Sequence, residues 1–348
     1  MIWLTWRQFR PQAVTALAVL AAFAILLGAT GPHLASLYAG SGVASCHGQG
    51  CQNPANAFLD QVSGVYSLVF TLGLATVILA PAVIGIFWGA PLIAREFETG
   101  TFRLAWTQGV TRARWTAAKL ALPGLTAIAV TEGLSLMYGW WAAPIGEAAR
   151  LDPGPGPGFP LSMGPFGLPG FDAHGVVPAG YAAFGFTLGV TAGLLFRRAL
   201  PAMAVTLAVF AAAGVAMPLA VRPNLFPPAH ATQSLTQNFS GGQSVSPGGK
   251  FTFALDYLDS QPGAWILSSG AVNAAGQPVS VMPAACGGAA VGPSDLSHCL
   301  ASHGIGVAAS YQPTSRFWPI QWAETGIYLA LALALAGYCY WRVGRRVP

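Results

Sequence analysis

Residues 61–94 read QVSGVYSLVFTLGLATVILAPAVIGIFWGAPLIA, 34 positions without one charged side chain. A helix crosses a hydrocarbon core of ~30 Å with about 20 apolar residues. The run exceeds one crossing, so part of it must tilt, form a loop or leave the bilayer. Pro81 and Pro91 in its second half predict a kink or a break. The run stops abruptly at Arg95, Glu96 and Glu98. The rest of the chain has the same character. Of 348 residues, 54% are hydrophobic and 8% are charged, against ~25% charged in soluble domains. So few charges cannot cover a soluble fold of this size, and so much apolar surface excludes disorder. The composition predicts an all-α polytopic membrane protein.

Five further runs are long and apolar enough to span: 13–30, 120–143, 176–196, 199–221 and 318–341. The first could be a signal peptide. Its aromatic start (Trp3, Trp6, Phe9) and the lack of a small-x-small cleavage site favour a retained span.

Orientation follows from the basic residues, which concentrate on the cytoplasmic side of membrane proteins. With the N-terminus inside, the inner segments hold Arg7, Arg10, Arg95, Arg103, Arg112, Arg114, Lys119, Arg197, Arg198, Arg342, Arg345 and Arg346. The outer segments hold Arg150, Arg222, Lys250 and Arg316. Twelve of the 16 basic residues thus fall inside, which places both termini in the cytoplasm and supports six spans. The net charge of +5 marks topology and gives no reason to expect a nucleic-acid partner. Arginine dominates over lysine, a usage that fits a high-GC bacterial chain and a bacterial plasma membrane. The expected organisation is a transmembrane part over 1–221, an extracellular segment over 222–317, and a sixth span with a cytoplasmic tail over 318–348.

Outside, three segments result: 31–60, 144–175 and 222–317. The second carries PGPGPG at 153–158, which reads as an irregular loop. In the third, KFTFAL at 250–255 alternates and AWIL at 264–267 follows, predicting a small, mostly β or irregular cap. Four of the five cysteines lie outside in two close pairs, Cys46 with Cys51 and Cys286 with Cys299, together with all six histidines. An oxidising exterior favours two local disulfides. Metal binding through Cys46, His47 and Cys51, or through Cys286, His298, Cys299 and His303, is the competing reading, although structural zinc uses tighter repeated spacing. Free thiols are a third.

Two span residues are ionisable. Glu132 sits mid-span in TEGLS, either lining a cavity or acting as a structural hydrogen-bonding group. Glu324 lies near the outer end of the last span and reads as a wet helix end.

Inside, the chain starts MIWLTWRQFR. Trp3, Trp6, Arg7, Phe9 and Arg10 form either a plain headgroup anchor or a separate interfacial elbow helix. The loop after the second span reads REFETGTFRLAWTQGVTRARWTAAKL from residue 95, and holds the only inner acids, Glu96 and Glu98. It is either a solvated basic loop or a docking surface, with Glu98 and Arg103 pairing or capping around Gly100.

This loop, the elbow-like start and the six spans resemble the permease subunit of type-2 ABC transporters. The likeness covers most of 1–221 and 319–348; the long outer segment before the last span departs from it. The resemblance implies a coupling loop at Arg95, Glu96, Glu98, Gly100, Thr101, Phe102 and Arg103 that contacts a cytoplasmic ABC ATPase. It also implies a pathway formed with a second permease copy or a related permease, and export of a hydrophobic or amphipathic substrate. The sequence holds no GxxxxGK[ST] loop, so ATP and magnesium would reside on the partner, and no cofactor is expected in this chain. Two alternatives stay open: a membrane-anchored receptor or assembly protein acting through 222–317, and a polytopic lipid-modifying enzyme using Asp152, Asp172 and His174.

Overall fold

The computed structural model describes residues 2–46, 51–100, 111–151, 166–167, 170–235, 241–245, 251–255, 263–281, 283–286 and 293–346. Six helical stretches are long and apolar enough to cross a membrane: Phe9–Gly40, Val65–Thr99, Arg112–Leu151, Val177–Phe196, Ala199–Asn224 and Thr314–Arg345. They coincide with the six expected runs, and three extend well past them.

Helix α1 (Ile2–Gly40) is one unbroken helix, so no separate elbow precedes the first span. Pro11 would be expected to break it. Phe9, Ala13, Ala16, Phe23, Leu27 and Leu34 are nevertheless all buried. That stripe keeps helical spacing across the proline, and packing outweighs the lost backbone bond. Phe9 meets Trp88 edge-on at 5.2 Å. Trp3 and Trp6 are helical, and their side chains lie outside the described ones.

After α2 (Gln52–Gln61), the second span is α3 (Val65–Ile84), a π-helical turn over Gly85–Gly89, and α4 (Ala90–Thr99). The expected kink between Pro81 and Pro91 is this π turn, which widens the helix without ending it. The third span, α5 (Arg112–Leu151), continues through Pro144. The second outer segment therefore begins eight residues later than the sequence suggested. Trp141, Ala142, Ile145, Ala148 and Ala149 hold one face of α5 in the core around that proline.

At 1.5 Å per residue α1 and α5 are each about 60 Å long, twice the hydrocarbon thickness. Their outer ends and α2 share a core of Leu34, Val43, Phe58, Leu59, Val62 and Ile145. A disulfide between Cys46 and Cys51 closes the turn between α1 and α2.

A one-turn helix α6 (Gly170–Ala173) leads into the fourth span, α7 (Val177–Phe196), which is buried almost all round. The fifth span, α8 (Ala199–Ala216), runs on through Met217–Val221 to Arg222–Asn224. Before the last span comes a three-stranded antiparallel sheet in the order β1-β5-β4, made of β1 (Ala229–Ser234), β4 (Trp265–Val272) and β5 (Gly306–Gln312). A hairpin of β2 (Gly241–Val245) and β3 (Phe251–Leu255) accompanies it. The expected strand signals at 250–255 and 264–267 fall on β3 and β4. Helix α9 (Pro293–Ser302) covers the sheet core of Leu300, Ile305, Val307 and Ala309 and carries the second disulfide, Cys286–Cys299. The sixth span is α10 (Phe317–Arg346).

Candidate functional site

The inner end of the second span is tied to three other elements. Glu96 forms an ion pair with Lys119 of α5, whose side chain is 4% exposed. Lys119 also lies 5.3 Å from the Trp115 ring centroid. The exposed Glu98 accepts a 2.8 Å hydrogen bond from the backbone N–H of Ala199. That N–H is the first of α8, where a helix leaves its donors unsatisfied and welcomes negative charge. Arg197, in the turn between α7 and α8, stands 5.5 Å from the Phe97 ring. Arg197 has φ 54°, and among the described residues it is the one non-glycine with a left-handed backbone. Gly100 ends α4 with φ 72°, the usual helix stop.

The expected pairing of Glu98 with Arg103 falls on a residue outside the described ones; among the described residues Glu98 meets the start of α8. Thr101, Phe102 and Arg103 lie outside the described residues, while Arg95 is exposed on α4. Lys119 and the Arg197–Arg198 turn were read only as inside markers. Their role here came from packing across the bundle.

Above this end, the second and fourth spans touch backbone to backbone. A Cβ at Gly189 would sit 2.2 Å from Gly85 O, one at Gly193 2.4 Å from Ala90 O, and one at Gly85 2.5 Å from Gly185 O. Gly185, Gly189 and Gly193 recur every four residues, the spacing that lets membrane helices approach closely. The sequence itself carries this spacing. The π turn lies within this contact.

At the outer end four elements meet on one arginine. Arg222 is 1% exposed and Glu324 0%. Arg222 donates from Nε to Glu324 Oε2 at 2.8 Å and from Nη2 to Glu324 Oε1 at 3.0 Å, a bidentate fork. Arg222 also pairs with Asp172, and its guanidinium lies 4.1 Å from the Phe171 ring centroid. The Tyr181 hydroxyl is within 2.6 Å of Glu324 Oε1 and 2.9 Å of Asp172 Oδ1. Beside them, Gln321 Oε1 accepts from Val176 N–H and Val177 N–H at 3.1 Å each, closing the start of α7. One expectation is corrected: Glu324 is no wet helix end. Arg222, expected at the start of the outer segment, is buried at the end of the fifth span. Each neutralises the other, which is what makes burial of either affordable.

Glu132, in the third span, is half-buried. Its Oε2 and the neighbouring Thr131 Oγ1 are buried and have no hydrogen-bond partner among the described residues.

His174 follows α6, outside the spans. Its Nδ1 lies 2.7 Å from Gly170 O. Burial pushes its pKa below the ordinary 6.5, against a smaller opposing effect of that hydrogen bond. The unfolded chain then binds the proton more readily. Stability contributed here is complete above about pH 6.5 and is lost as pH falls below it. His174→Gln should flatten that acid limb, read as melting temperature in detergent between pH 7.5 and 5. An unchanged slope would remove His174 as the cause.

Both predicted disulfides are formed. Cys286, Cys299 and His303 have ligand atoms within 4.8 Å of one another, but the two sulfurs are bonded together and offer no thiolate to a metal. Cys339 is buried, with its Sγ 3.2 Å from Thr191 Oγ1.

A family model described as ABC-2 membrane transporter related matches residues 17–222, more than half of the chain. No curated protein and no solved structure matches it.

Proposed function

Because the chain belongs to the ABC-2 membrane transporter related family, we propose that it is the membrane-spanning permease subunit of an ATP-driven exporter. Members of such a family are typically non-catalytic and work with a separate ATPase. Here the ATPase would dock on residues 95–114, and ATP and magnesium would stay on that partner. A second copy, or a related permease, would complete the pathway for a hydrophobic or amphipathic substrate in the plasma membrane.

One observation carries the reading. Residues 96–98 are fastened to α5, to the α7–α8 turn and to the start of α8 through Lys119, Arg197 and Ala199. A push on the loop that follows would therefore reach the third, fourth and fifth spans together, as a coupling element requires. A plain anchor has no need of such ties. The receptor and lipid-enzyme readings gain no comparable support: Asp172 is consumed in the Arg222 cluster.

Two substitutions separate docking from scaffold. Arg103→Glu reverses a charge in the loop and should cut copurification with the ATPase about tenfold, as ~1.4 kcal/mol of lost interface energy would. Its melting temperature should match the parent's. Glu98→Ala removes the cap on α8 and should lower stability by about 1 kcal/mol. If Arg103→Glu copurifies like the parent chain, the docking assignment is wrong.

A further inference from the structure

A cavity of about 280 Å³ opens at the outer end of the bundle, between α3, α5, the His174 turn and the start of α10. Phe70, Leu74, Phe317 and Trp318 make its walls apolar. Gly146 of α5 lines it too, and a Cβ there would meet nothing within 4 Å. The volume sits at the low end of small-molecule sites, enough for a head and the start of one chain. Trp318 is 54% exposed, and Leu136, three residues before Gly139 on the same face of α5, is 63% exposed. An apolar tail thus has a surface to run along outside the cavity.

The polar side of the cavity has a defined chemistry. Gly170 O can only accept, so the hydrogen in its 2.7 Å contact belongs to His174 Nδ1. In the neutral ring Nε2 is then a bare lone pair. Among the described residues nothing hydrogen-bonds to it. Burial keeps this ring neutral. Glu147 and Arg150, at the rim, pair with each other at 3.2 Å and present no net charge. Among the described residues the site holds no unpaired cation, so the charge of an anionic head would be buried uncompensated. An ammonium could donate to Nε2 but would give up its hydration in an apolar space. A neutral hydroxyl satisfies the lone pair at little cost.

We propose that this cavity is a binding site for a neutral, hydroxyl-headed amphiphile of the outer leaflet. The head hydroxyl donates to His174 Nε2, and the first part of its chain lies against Phe70, Leu74, Phe317 and Trp318. The site belongs to this chain alone and does not depend on ATPase coupling.

The test uses the full-length protein in phosphatidylcholine vesicles doped with a photoactivatable diacylglycerol, with labelled peptides quantified by mass spectrometry. Labelling should concentrate on peptides containing 139–150 and 317–318. Gly146→Leu fills the space without a backbone clash and should reduce labelling about tenfold. His174→Phe keeps an aromatic of similar size, removes the acceptor, and should reduce it about fivefold to tenfold. Unlabelled diacylglycerol should compete, and phosphatidic acid should not. Labelling unchanged in both variants overturns the site. Labelling lost in Gly146→Leu but retained in His174→Phe overturns the hydroxyl recognition, as does equal competition by phosphatidic acid. Should a variant fail to fold, the competition measured on the unaltered protein still decides.

Discussion

Gly189→Val should yield no stably folded protein. The added Cβ would stand 2.2 Å from Gly85 O and 2.8 Å from Ala90 N, both backbone atoms that no rotamer change can move. Overpacking against side chains costs roughly 1–3 kcal/mol. Forcing two backbones apart exceeds that and consumes much of a total stability of about 5–15 kcal/mol. The spans involved are α7, the hub of the bundle, and the π turn of Gly85–Gly89, so no neighbouring element is free to absorb the shift. Size-exclusion profiles and melting in detergent report the outcome. Gly326→Ala on α10 is the control, because its Cβ meets nothing within 4 Å. Alanine gains up to about 1 kcal/mol in helix propensity there, so its melting point should hold or rise. A Gly189→Val protein melting within a few degrees of the parent would refute the backbone contact.

Arg222→Leu should be nearly as damaging. It leaves Glu324, which is fully buried, without its counter-charge, and deprives Asp172 as well. Removing one partner of a buried ion pair costs about 3–5 kcal/mol. Arg222→Lys should recover only part, since one ammonium cannot span the Nε and Nη2 contacts and stack on Phe171 together. Arg222→Leu combined with Glu324→Gln removes most of the uncompensated charge and should melt above Arg222→Leu alone. A single Arg222→Leu variant as stable as the parent would show the cluster to be energetically idle.

The features legible in the sequence were those carried by local pattern. Uncharged runs located the spans, and the positions of arginine separated inner from outer ends. The cysteine spacings located two disulfides. Features set by distant contacts were hidden. Pro11 and Pro144 look like stops because proline is a local signal, yet the stripe from Phe9 to Leu34 and that around Ile145 keep their helices going. Arg222 lies 102 positions from Glu324 and 50 from Asp172, so each looked like an isolated charge at a helix end. Glu98 could not be matched to Ala199 from a local reading either, with 101 positions between them. The glycines at 185, 189 and 193 were legible in principle, but 43 glycines in the chain masked their spacing.

The Arg222 cluster has a consequence for the order of assembly. A ribosome adding roughly 5–20 residues per second delivers Glu324 about 5–20 s after Arg222, given the 102 positions between them. Through that interval the guanidinium has only Asp172 as a counter-charge among the cluster's acids. The outer sheet is synthesised within the same interval. The tip of the fifth span therefore cannot take its final buried place until the sixth span arrives. Insertion of α10 is the step that locks the outer end, and a nascent chain stalled before it would hold an unsealed bundle open to water or to membrane chaperones.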